Sequence, residues 1–552
     1  MDLKNVKALG FIGIRSDIMV VIEIDKNDLL DLIGKKLTDD EIVETLFLLK
    51  VETTISNDKI VCELNPDRPD MFSVEGMARE MKGFLGIEKG IKKYDVADSD
   101  VILKREKADV RPFIACAIIE NVQLTNYLIK SLMQIQEKLH ESIGRNRKKV
   151  AIGVHDFDEI RPPLVYRDVD EETFTPLGET REMSANEILS EHPKGKAFAH
   201  LLKDKYPMIY DKEGVISFPP IINSERTKVT ENTKNLFIDV TGTDEKAVNS
   251  TLNILVCNIA ERSGKILTVK ISGKKTPELE PKEITIEVEN IDKLLGLGLT
   301  ENDVANILER MRYGVSRLKG GRIGLAIPPY RYDILHMVDI VEDIAIGYGY
   351  NNIEPLLPKI ATIGEQSKLE ILTRKLRDLM IGLEFQEILN FVLTNKENNF
   401  DKMNFSGDAV EILNPVSSEY SICRTWLLPS LMKVLAANKH REYPQRIFEI
   451  GDCVIFDENA ETKTKTIRKL GGVISYDNAN LTEMKSVIET VLKGLGYEYS
   501  IKDYNHPSFI ESRCGEIIVN EKQIGFFGEI HPQLLEKWEL EKPVIAFEIS
   551  VV

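Results

Sequence analysis

Residues 328–350 read PPYRYDILHMVDIVEDIAIGYGY, and this stretch decides how the centre of the chain is organised. A Pro-Pro turn leads into an amphipathic helix. Glu342 and Asp343 follow Asp339 by three and four positions, so their carboxylates are predicted to share one helix face, with Asp333 just upstream. Like charges this close repel one another, so either water solvates them or a cation lies among them.

Two interpretations of this acidic cluster are open from the pattern alone. Hard cations such as Mg²⁺ take oxygen ligands, commonly one or two carboxylates with several waters, so four carboxylates suit an ion held at an interface. A solvated helix surface is the ordinary explanation. The spacing of the charges does not choose between them.

Length and composition predict a multidomain cytoplasmic protein. The chain of 552 residues is too long for one core and predicts roughly three or four domains. Its hydrophobic fraction of 43% and charged fraction of 29% are typical of soluble proteins. No apolar run approaches the ~20 residues that span a bilayer, and the first residues lack the pattern of a signal peptide, so we expect no membrane contact.

The charge distribution limits contact with nucleic acid. A formal net charge of −17 argues against a surface that wraps RNA or DNA, so any such contact is expected to be local. The densest basic run, Arg145, Arg147, Lys148 and Lys149, is a possible RNA contact, and a solvated loop is the alternative. Six scattered cysteines without a CxxC pair indicate neither a zinc site nor a disulfide framework.

Residues 210–244 suggest a small polar pocket. The prolines of SFPPIINS interrupt a strand beside Asn223, and LFIDVTGTD is a strand whose end displays Asp239 and Thr241. Short polar groups next to apolar strands suit a pocket that hydrogen-bonds a substrate hydroxyl or amine. Asp and Thr before Gly are also ordinary turn formers, so both explanations stay open. The lone His155 in GVHD has no second ligand at metal spacing and is interpreted as structural.

Other motifs are structural or missing. The segment NPDRPD at 65–70 is interpreted as a rigid turn into a helix rather than a site. The sequence contains no phosphate loop, no dinucleotide fingerprint after a strand and no nucleophile elbow. Residue patterns alone therefore lead to a cytosolic protein with candidate magnesium and pocket sites, and no further.

Longer stretches resemble a known family. They are ELNPDRPDMFSVEGMARE (63–80), PPYRYDILHMVDIVEDIAIGYGYNNIEPLLP (328–358), SICRTWLLPSLMKVLAANKHREYPQRIFEIGDCV (421–454), HPSFIESRCGEIIVNEKQIGFFGEIHP (506–532) and IDVTGTD. Through them the chain resembles the β subunits of phenylalanyl-tRNA synthetase, in their shorter archaeal and eukaryotic form, along nearly its whole length. That form has neither an inserted tRNA-binding OB domain nor a C-terminal anticodon-binding domain.

The resemblance implies an α+β multidomain fold. Its expected parts are a B1-like N-terminal domain at 1–96, an editing B3/B4 domain at 97–275, a winged-helix-like B5 domain at 276–352, and a class II synthetase-like, pseudo-catalytic antiparallel-sheet module at 358–552.

The resemblance also implies a function. The family joins ATP, L-phenylalanine and tRNA(Phe) into AMP, diphosphate and Phe-tRNA(Phe) as an α2β2 heterotetramer. Class II active sites hold ATP with an arginine in the second conserved motif, which FEIGDCVIFD lacks, and no GxGxxR follows it. We therefore expect no catalytic residue for adenylation here, and place adenylate formation in the α subunit.

Two sets of site residues follow from the family. Asp333, Asp339, Glu342 and Asp343 match its magnesium ligands, a site shared with the α subunit. Asp239 and Thr241 match residues that read the hydroxyl of tyrosine mistakenly attached to tRNA(Phe), with Ser217 and Asn223 as weaker companions in the editing pocket.

Other functions remain as alternatives. A stand-alone deacylase would clear mischarged tRNA without an α subunit, and a noncatalytic tRNA-binding scaffold would carry a decayed pocket. The length of the chain favours the synthetase subunit, because a free-standing editing enzyme has little need of a catalytic-like module.

Overall fold

The computed structural model describes residues 19–262, 264–318 and 320–551. Two compact units divide the chain: the first extends to Leu357 and the second begins at Pro358. Both combine helices and sheets, which confirms the α+β class. The four domain ranges stay a prediction. The expected absence of a signal peptide concerns residues outside the described ranges.

The N-terminal layer is an antiparallel sheet with helices packed against it. Its elements are β1 (Val20–Asp25), α1 (Lys26–Ile33), α2 (Asp39–Leu48), β2 (Val51–Ser56), β3 (Lys59–Leu64) and α3 (Val74–Phe84). The strand order is β1-β3-β2. β1 alternates buried and exposed side chains, as a strand with one face on a core does. Thr38 forms a capping box with Glu41, which fixes the start of α2.

A large mixed sheet follows and carries the cavity described below. Its elements are β4 (Val96–Arg105), β5 (Phe113–Glu120), α4 (Asn126–Glu141), β6 (Val150–Asp156), β7 (Leu164–Val169), β8 (Thr173–Phe174), β9 (Met183–Ser184), α5 (Ala185–Glu191), α6 (Pro193–Phe198), β10 (Tyr206–Asp211), β11 (Gly214–Phe218), β12 (Ile222–Asn223), β13 (Leu236–Gly242), α7 (Glu245–Ile259), β14 (Lys265–Ile271) and β15 (Lys274–Thr276). The strand order is β12-β11-β10-β7-β4-β14-β5-β13-β6, with β15 on β14, whereas β8 and β9 pair with each other as a separate two-stranded sheet.

Strand β13 is the most constrained strand for the site. It pairs antiparallel with β5 on one side and β6 on the other, and every one of its residues is buried. A polar side chain on such a strand needs a partner, because burial without a hydrogen bond is costly.

A smaller antiparallel sheet with helices completes the first unit. Its elements are β16 (Lys282–Glu287), α8 (Val288–Leu295), α9 (Glu301–Arg310), β17 (Gly314–Arg317), β18 (Arg322–Ile327) and α10 (Met337–Tyr348), with the order β16-β18-β17. The Arg310 guanidinium donates to the carbonyl of Phe84, which ties α9 to the end of α3.

The second unit is built on a long, largely antiparallel sheet. Its elements are α11 (Lys368–Gly382), β19 (Gln386–Glu387), β20 (Leu393–Thr394), α12 (Lys396–Asn399), β21 (Ile422–Cys423), α13 (Leu428–Ala437), β22 (Gln445–Phe456), β23 (Thr464–Ser475), α14 (Leu481–Gly494), β24 (Tyr499–Asp503), β25 (Phe509–Val519), β26 (Lys522–Ile530), α15 (Pro532–Lys537) and β27 (Val544–Ser550). The order is β19-β22-β23-β27-β26-β25-β24, with only the short β19 parallel to its neighbour. The predicted antiparallel-sheet module is confirmed.

The segment NPDRPD forms a buried ion pair. Arg68 donates to Asp70 through Nε and Nη2, each at 2.9 Å, and its Nη2 lies 3.1 Å from Glu80. All three side chains are buried. Burial alone would raise the pKa of Asp70, but the Arg68 guanidinium lowers it to about 2. The structural interpretation of this motif is confirmed.

Arg79 extends the network across the first unit. Its Nη1 donates to Asn258 on α7 at 2.9 Å, and its guanidinium lies 3.6 Å from the ring centroid of Tyr330. Because Arg79 itself sits on α3, one buried cation joins three parts of the chain that are far apart in sequence.

We predict that Asp70→Asn lowers the free energy of unfolding by about 3–5 kcal/mol, because it leaves Arg68 buried without its main partner. The pKa of Asp70 is lower in the folded state than its ordinary 3.8, so the contribution of this carboxylate is present above pH 3.8 and is lost as the pH falls toward 2. Urea unfolding at several pH values measures both effects.

Asp67→Asn is the matched control for this variant. Asp67 belongs to the same motif but is exposed, so its substitution should change stability by less than about 1 kcal/mol. Equal losses for the two variants, or a loss for Asp70→Asn that does not shrink with acid, would contradict the buried-pair account.

Candidate functional site

A cavity of about 490 Å³ lies beside helix α4, strand β6 and the β11–β12 connection. The structure brings three of the predicted pocket residues together there, because Ser217, Asn223 and Asp239 all line it. Gly153 and Thr227 line the same wall. Its volume lies within the range of pockets that enclose small ligands.

Ser217 and Asn223 belong to neighbouring strands. They are direct partners in the β11–β12 pairing, and the Ser217 hydroxyl donates to Asn223 Oδ1 at 3.2 Å. The Asn223 amide in turn donates to the carbonyl of Val154 at 3.2 Å. Asn223 therefore fastens the short strand β12 to β6, and both side chains present fixed polar atoms to the cavity.

Asp239 is a buried carboxylate of this cavity and lies in the middle of β13. Its side chain is 1% exposed, and its Oδ2 lies 2.9 Å from Nε2 of His155. The opposing residue on β6 is Gly153. A Cβ at position 153 would lie 2.1 Å from Asp239 Oδ2, so only glycine leaves room for this carboxylate.

Thr241 does not line the cavity. Its Oγ1 accepts a hydrogen bond from Arg111 Nε at 3.2 Å, and its carbonyl accepts from Arg111 Nη2 at 2.8 Å. The same guanidinium donates to the carbonyl of Arg147 at 3.1 Å. Burial lowers the pKa of Arg111 to about 10. Thr241 therefore supports the cavity wall through Arg111 and makes no direct contact with the cavity.

His155 is a residue that sequence reasoning assigned to a structural role. It is fully buried, with Nε2 on Asp239 and Nδ1 at 2.8 Å from Thr227 Oγ1. The one available signal for a role at the site was the glycine at position 153, two residues earlier on the same strand. Side chains two apart in a strand share a face. The sequence did not show that β6 lies next to β13.

The basic run divides into buried and exposed members. Arg147 is buried: it donates to the carbonyls of Pro220 and Ile221 at 3.1 Å and to Glu137 at 2.6 Å. Burial lowers the pKa of this guanidinium. The solvated-loop alternative is therefore wrong for Arg147, which lines the cavity and has its outer nitrogens occupied.

The remaining basic side chains lie outside this wall. Arg145 and Lys148 are exposed, and Lys149 lies 3.1 Å from Asp244. The backbone of Arg145, Asn146 and Arg147 has φ values of 48°, 54° and 64°, a left-handed turn that non-glycine residues rarely adopt. Such a turn persists only where other contacts hold it, and here Arg147 makes those contacts.

The acidic cluster on α10 is not one carboxylate face. Asp343 is 3% exposed and points into the protein, where its Oδ2 lies 2.7 Å from Arg331 and accepts from the Tyr313 hydroxyl at 2.6 Å. Asp333 binds the same Arg331 at 2.6 Å. Burial alone would lower the pKa of Arg331, but Asp333 and Asp343 raise it. The expectation that the carboxylates share a face is wrong for Asp343.

The other two carboxylates lie nearer the surface. Asp339 accepts from the backbone N–H groups of Leu335 and His336 at 2.8 and 2.7 Å, which caps α10. Glu342 is exposed, and its Oε1 lies 3.0 Å from Lys50. Lys50 therefore offsets the charge of Glu342, and backbone N–H groups at the start of α10 hold Asp339.

These contacts do not fit a magnesium site made by all four carboxylates. Among the described residues, no three His, Cys, Asp or Glu side chains converge closely enough to hold a metal ion. Asp333 and Asp343 are engaged by Arg331, whereas Asp339 and Glu342 are the two that reach the surface. One or two carboxylates with waters is a usual arrangement for Mg²⁺, so only these two fit an ion that a partner completes.

Two segments of the second unit expose several large apolar side chains. We define this apolar patch by Leu389, Phe391, Val392, Leu393, Leu413, Val416 and Tyr420, which are 37% to 98% exposed. The β20–β21 pairing brings the two segments together, and the rings of Phe391 and Tyr420 lie 5.9 Å apart. Contiguous exposed apolar surface of this kind marks interaction sites.

The sheet of the second unit contains buried ion pairs. Arg424 donates to Glu449 at 2.7 Å, and both are buried. Glu548 accepts from Lys469 and from the backbone of Leu427, each at 2.7 Å. Their charges are therefore internally satisfied.

Comparison with known proteins gives the family. Three family models match: the B3/4 domain at residues 91–259, the tRNA synthetase B5 domain at 284–350, and the "Phenylalanyl tRNA synthetase beta chain CLM domain" at 353–551. A "Phenylalanine–tRNA ligase beta subunit" of Methanococcus maripaludis is 44% identical, covering 97% of this chain and 100% of the relative. The protein of that name from Methanocaldococcus jannaschii is 45% identical with the same coverage.

A solved structure agrees with these relatives. An N-terminal fragment of the phenylalanyl-tRNA synthetase β-subunit from Pyrococcus horikoshii is 41% identical, with a TM-score of 0.57, and covers 59% of this chain and 99% of the fragment. In the described ranges, no helix has the length and apolar character needed to span a bilayer. The chain belongs to the family of phenylalanine–tRNA ligase β subunits, and it is therefore an aminoacyl-tRNA synthetase subunit.

Proposed function

We propose that this chain is the editing subunit of a cytoplasmic phenylalanine–tRNA ligase. It hydrolyses Tyr-tRNA(Phe), while an α subunit uses ATP to form the phenylalanyl adenylate in an α2β2 heterotetramer. The observation that supports editing most directly is Asp239, a buried carboxylate on the wall of a cavity of about 490 Å³.

Asp239 suits the recognition of tyrosine rather than phenylalanine. A synthesis pocket shaped for phenylalanine rejects an added hydroxyl weakly, so accuracy requires a second site that binds that hydroxyl. A carboxylate accepts a phenol O–H as a charge-assisted hydrogen bond. When phenylalanine enters instead, the carboxylate oxygen of Asp239 that would accept the phenol proton has no donor, which costs about 1–3 kcal/mol and disfavours the correct product as a substrate for hydrolysis.

Fixed polar groups around Asp239 orient the rest of the aminoacyl end. Ser217 and Asn223 hold defined hydrogen-bonding directions through their own contact at 3.2 Å. A water positioned by the backbone and by the terminal hydroxyl of the tRNA is sufficient for ester hydrolysis, so no side-chain base is required. The side chains of this protein bind and orient the substrate, and the terminal hydroxyl of the tRNA contributes the remaining polar group.

Two half-exposed lysines line the cavity. Lys194 lies 3.6 Å from Glu137, and Lys228 lies 3.0 Å from Glu225. We propose that these lysines exchange their carboxylate partners for phosphates at the end of a tRNA. Arg145, Lys148 and Lys149 remain proposed RNA contacts, whereas Arg147 is withdrawn from that set because its guanidinium is buried in the wall.

The apolar patch of the second unit supports an α subunit as partner. Interfaces that persist are apolar at their centres and contain aromatic anchors such as Phe391. The buried Arg424–Glu449 pair supports the assignment of adenylation to the other subunit, because these charges are already matched within the sheet. A stand-alone deacylase requires no partner surface such as this patch, and a noncatalytic tRNA-binding scaffold requires no buried Asp239 on a cavity wall.

We propose a magnesium site only at the surface of α10. Asp339 and Glu342 would hold the ion at the boundary with the α subunit, where its charge offsets theirs. The α subunit or water would supply the remaining oxygen ligands.

We predict that Asp239→Ala slows hydrolysis of Tyr-tRNA(Phe) by about 10- to 100-fold, the value of a hydrogen bond to a charged group. Deacylation of purified Tyr-tRNA(Phe) by the α–β complex measures it. Asp204→Ala, an exposed position in the same sheet region, is the control and should leave the rate unchanged. Undiminished hydrolysis by Asp239→Ala would remove Asp239 from the site.

The double variant Phe391→Asp, Leu413→Asp should abolish co-purification of the α subunit and the charging of tRNA, because an interface hot spot contributes about 2 kcal/mol or more. Phe456→Asp alters an exposed aromatic outside the patch and should retain the partner. Full-strength association of the double variant, measured by sedimentation, would show that the patch is not the interface.

The double variant Asp339→Asn, Glu342→Gln should make association with the α subunit less dependent on Mg²⁺. Asparagine keeps the oxygen that caps α10 and removes only the charge. Asp333→Asn serves as comparison, because Asp333 is already paired with Arg331. Sedimentation over a series of Mg²⁺ concentrations decides the matter, and an unshifted midpoint in the double variant would exclude these ligands.

A further inference from the structure

We infer that His155 and Thr227 form a directed chain of hydrogen bonds that orients the Asp239 carboxylate and so sets the preference for a tyrosyl over a phenylalanyl ester. This inference rests on the proposed editing function and adds two positioning residues to it.

The three side chains form a continuous buried path. Thr227 Oγ1 lies 2.8 Å from His155 Nδ1, and His155 Nε2 lies 2.9 Å from Asp239 Oδ2. Their exposed fractions are 1%, 0% and 1%. These bonds are therefore shielded from bulk water, and buried hydrogen bonds hold the side chains that form them in one arrangement.

The direction of each bond follows from the chemistry of the groups. A carboxylate only accepts, so the proton between His155 and Asp239 belongs to Nε2. When the ring is neutral, its acceptor is Nδ1, and the Thr227 hydroxyl donates to it. Thr227 thus selects the tautomer of His155, and His155 in turn occupies Oδ2 of Asp239.

The consequence for substrate binding lies in the second carboxylate oxygen. Among the hydrogen bonds of the described residues, no protein donor reaches Asp239 Oδ1, while Asp239 itself lines the cavity. One oxygen is held and the other is free to accept a phenol O–H. A carboxylate fixed in this way loses less conformational freedom on binding than one that rotates.

The backbone leaves space for this contact. Gly153 faces Asp239 across the β6–β13 pairing, and a Cβ there would lie 2.1 Å from Asp239 Oδ2 and 2.8 Å from His155 Nε2. Any side chain at position 153 would therefore displace the bond. The absence of a side chain at 153 and the presence of His155 two residues later are parts of one arrangement.

The residue types also resemble those of a hydrolytic triad, but the geometry favours positioning. In a triad the hydroxyl attacks the scissile carbonyl, the imidazole takes the hydroxyl proton, and the carboxylate holds the imidazole from behind, away from the substrate. Here Asp239 is proposed to read the phenol, which is separated from the ester by the whole tyrosine side chain. A nucleophile bonded to the same imidazole would lie at the wrong end of the substrate.

The test compares hydrolysis of Tyr-tRNA(Phe) and Phe-tRNA(Phe) by the α–β complex. His155→Leu should lower the Tyr/Phe ratio of rates by about 10-fold or more, because a hydrogen bond to a charged group is lost. His155→Gln places an amide N–H near the position of Nε2 and should restore most of the ratio. Thr227→Val should lower the ratio, and Thr227→Ser should keep it. His200→Gln, at an exposed histidine, is the matched control.

The outcomes separate this inference from the function on which it rests. A normal ratio in His155→Leu and Thr227→Val, with a loss in Asp239→Ala, overturns the positioning role alone. Equal losses for both substrates with an unchanged ratio in Thr227→Val also overturn it and indicate a catalytic triad. No loss in Asp239→Ala refutes the editing site itself. If His155→Leu does not fold, the Thr227 pair, which differs by single groups, still decides.

Discussion

The site depends on one constraint: a carboxylate placed in the middle of a fully buried strand must have a partner. Asp239 has neighbours on both sides in the sheet and almost no contact with solvent. An unpaired charge there would cost several kcal/mol. His155, which Thr227 holds and Gly153 leaves room for, hydrogen-bonds the carboxylate and so reduces that cost. The same arrangement leaves one carboxylate oxygen for a ligand. A single set of hydrogen bonds therefore serves both the stability of the buried carboxylate and the proposed recognition of a ligand.

Local sequence patterns predicted which helices and strands form better than they predicted which strands lie side by side. The helix after the Pro-Pro turn and the strand in LFIDVTGTD depend on residues close in sequence, and both appear in the structure, as α10 and β13. Pairing of Gly153 with Asp239 joins segments some 86 residues apart, and no periodicity reports it. His155 was for that reason assigned to structure, although its ring contacts the residue the site depends on.

Charge patterns were the least reliable guide, because a helix or loop position does not reveal which way a side chain turns. Spacing placed Asp343 on the face of Asp339 and Glu342, yet Glu342 and Asp343 are adjacent and differ by about 100° in direction, and Arg331 binds Asp343 inside the protein. Arg147 shows the same limit in a loop: it looks like a surface charge in the sequence, and a left-handed turn carries it into the wall.

The division of the chain at Pro358 has a consequence for how this protein tolerates change. The cavity lies wholly in the first compact unit and the apolar patch wholly in the second. Effects of substitutions at distant sites without shared contacts are close to additive. Under the proposed roles of the cavity and the patch, translational fidelity and subunit assembly can therefore drift independently in evolution, and a lineage under relaxed selection for proofreading can lose it without losing protein synthesis.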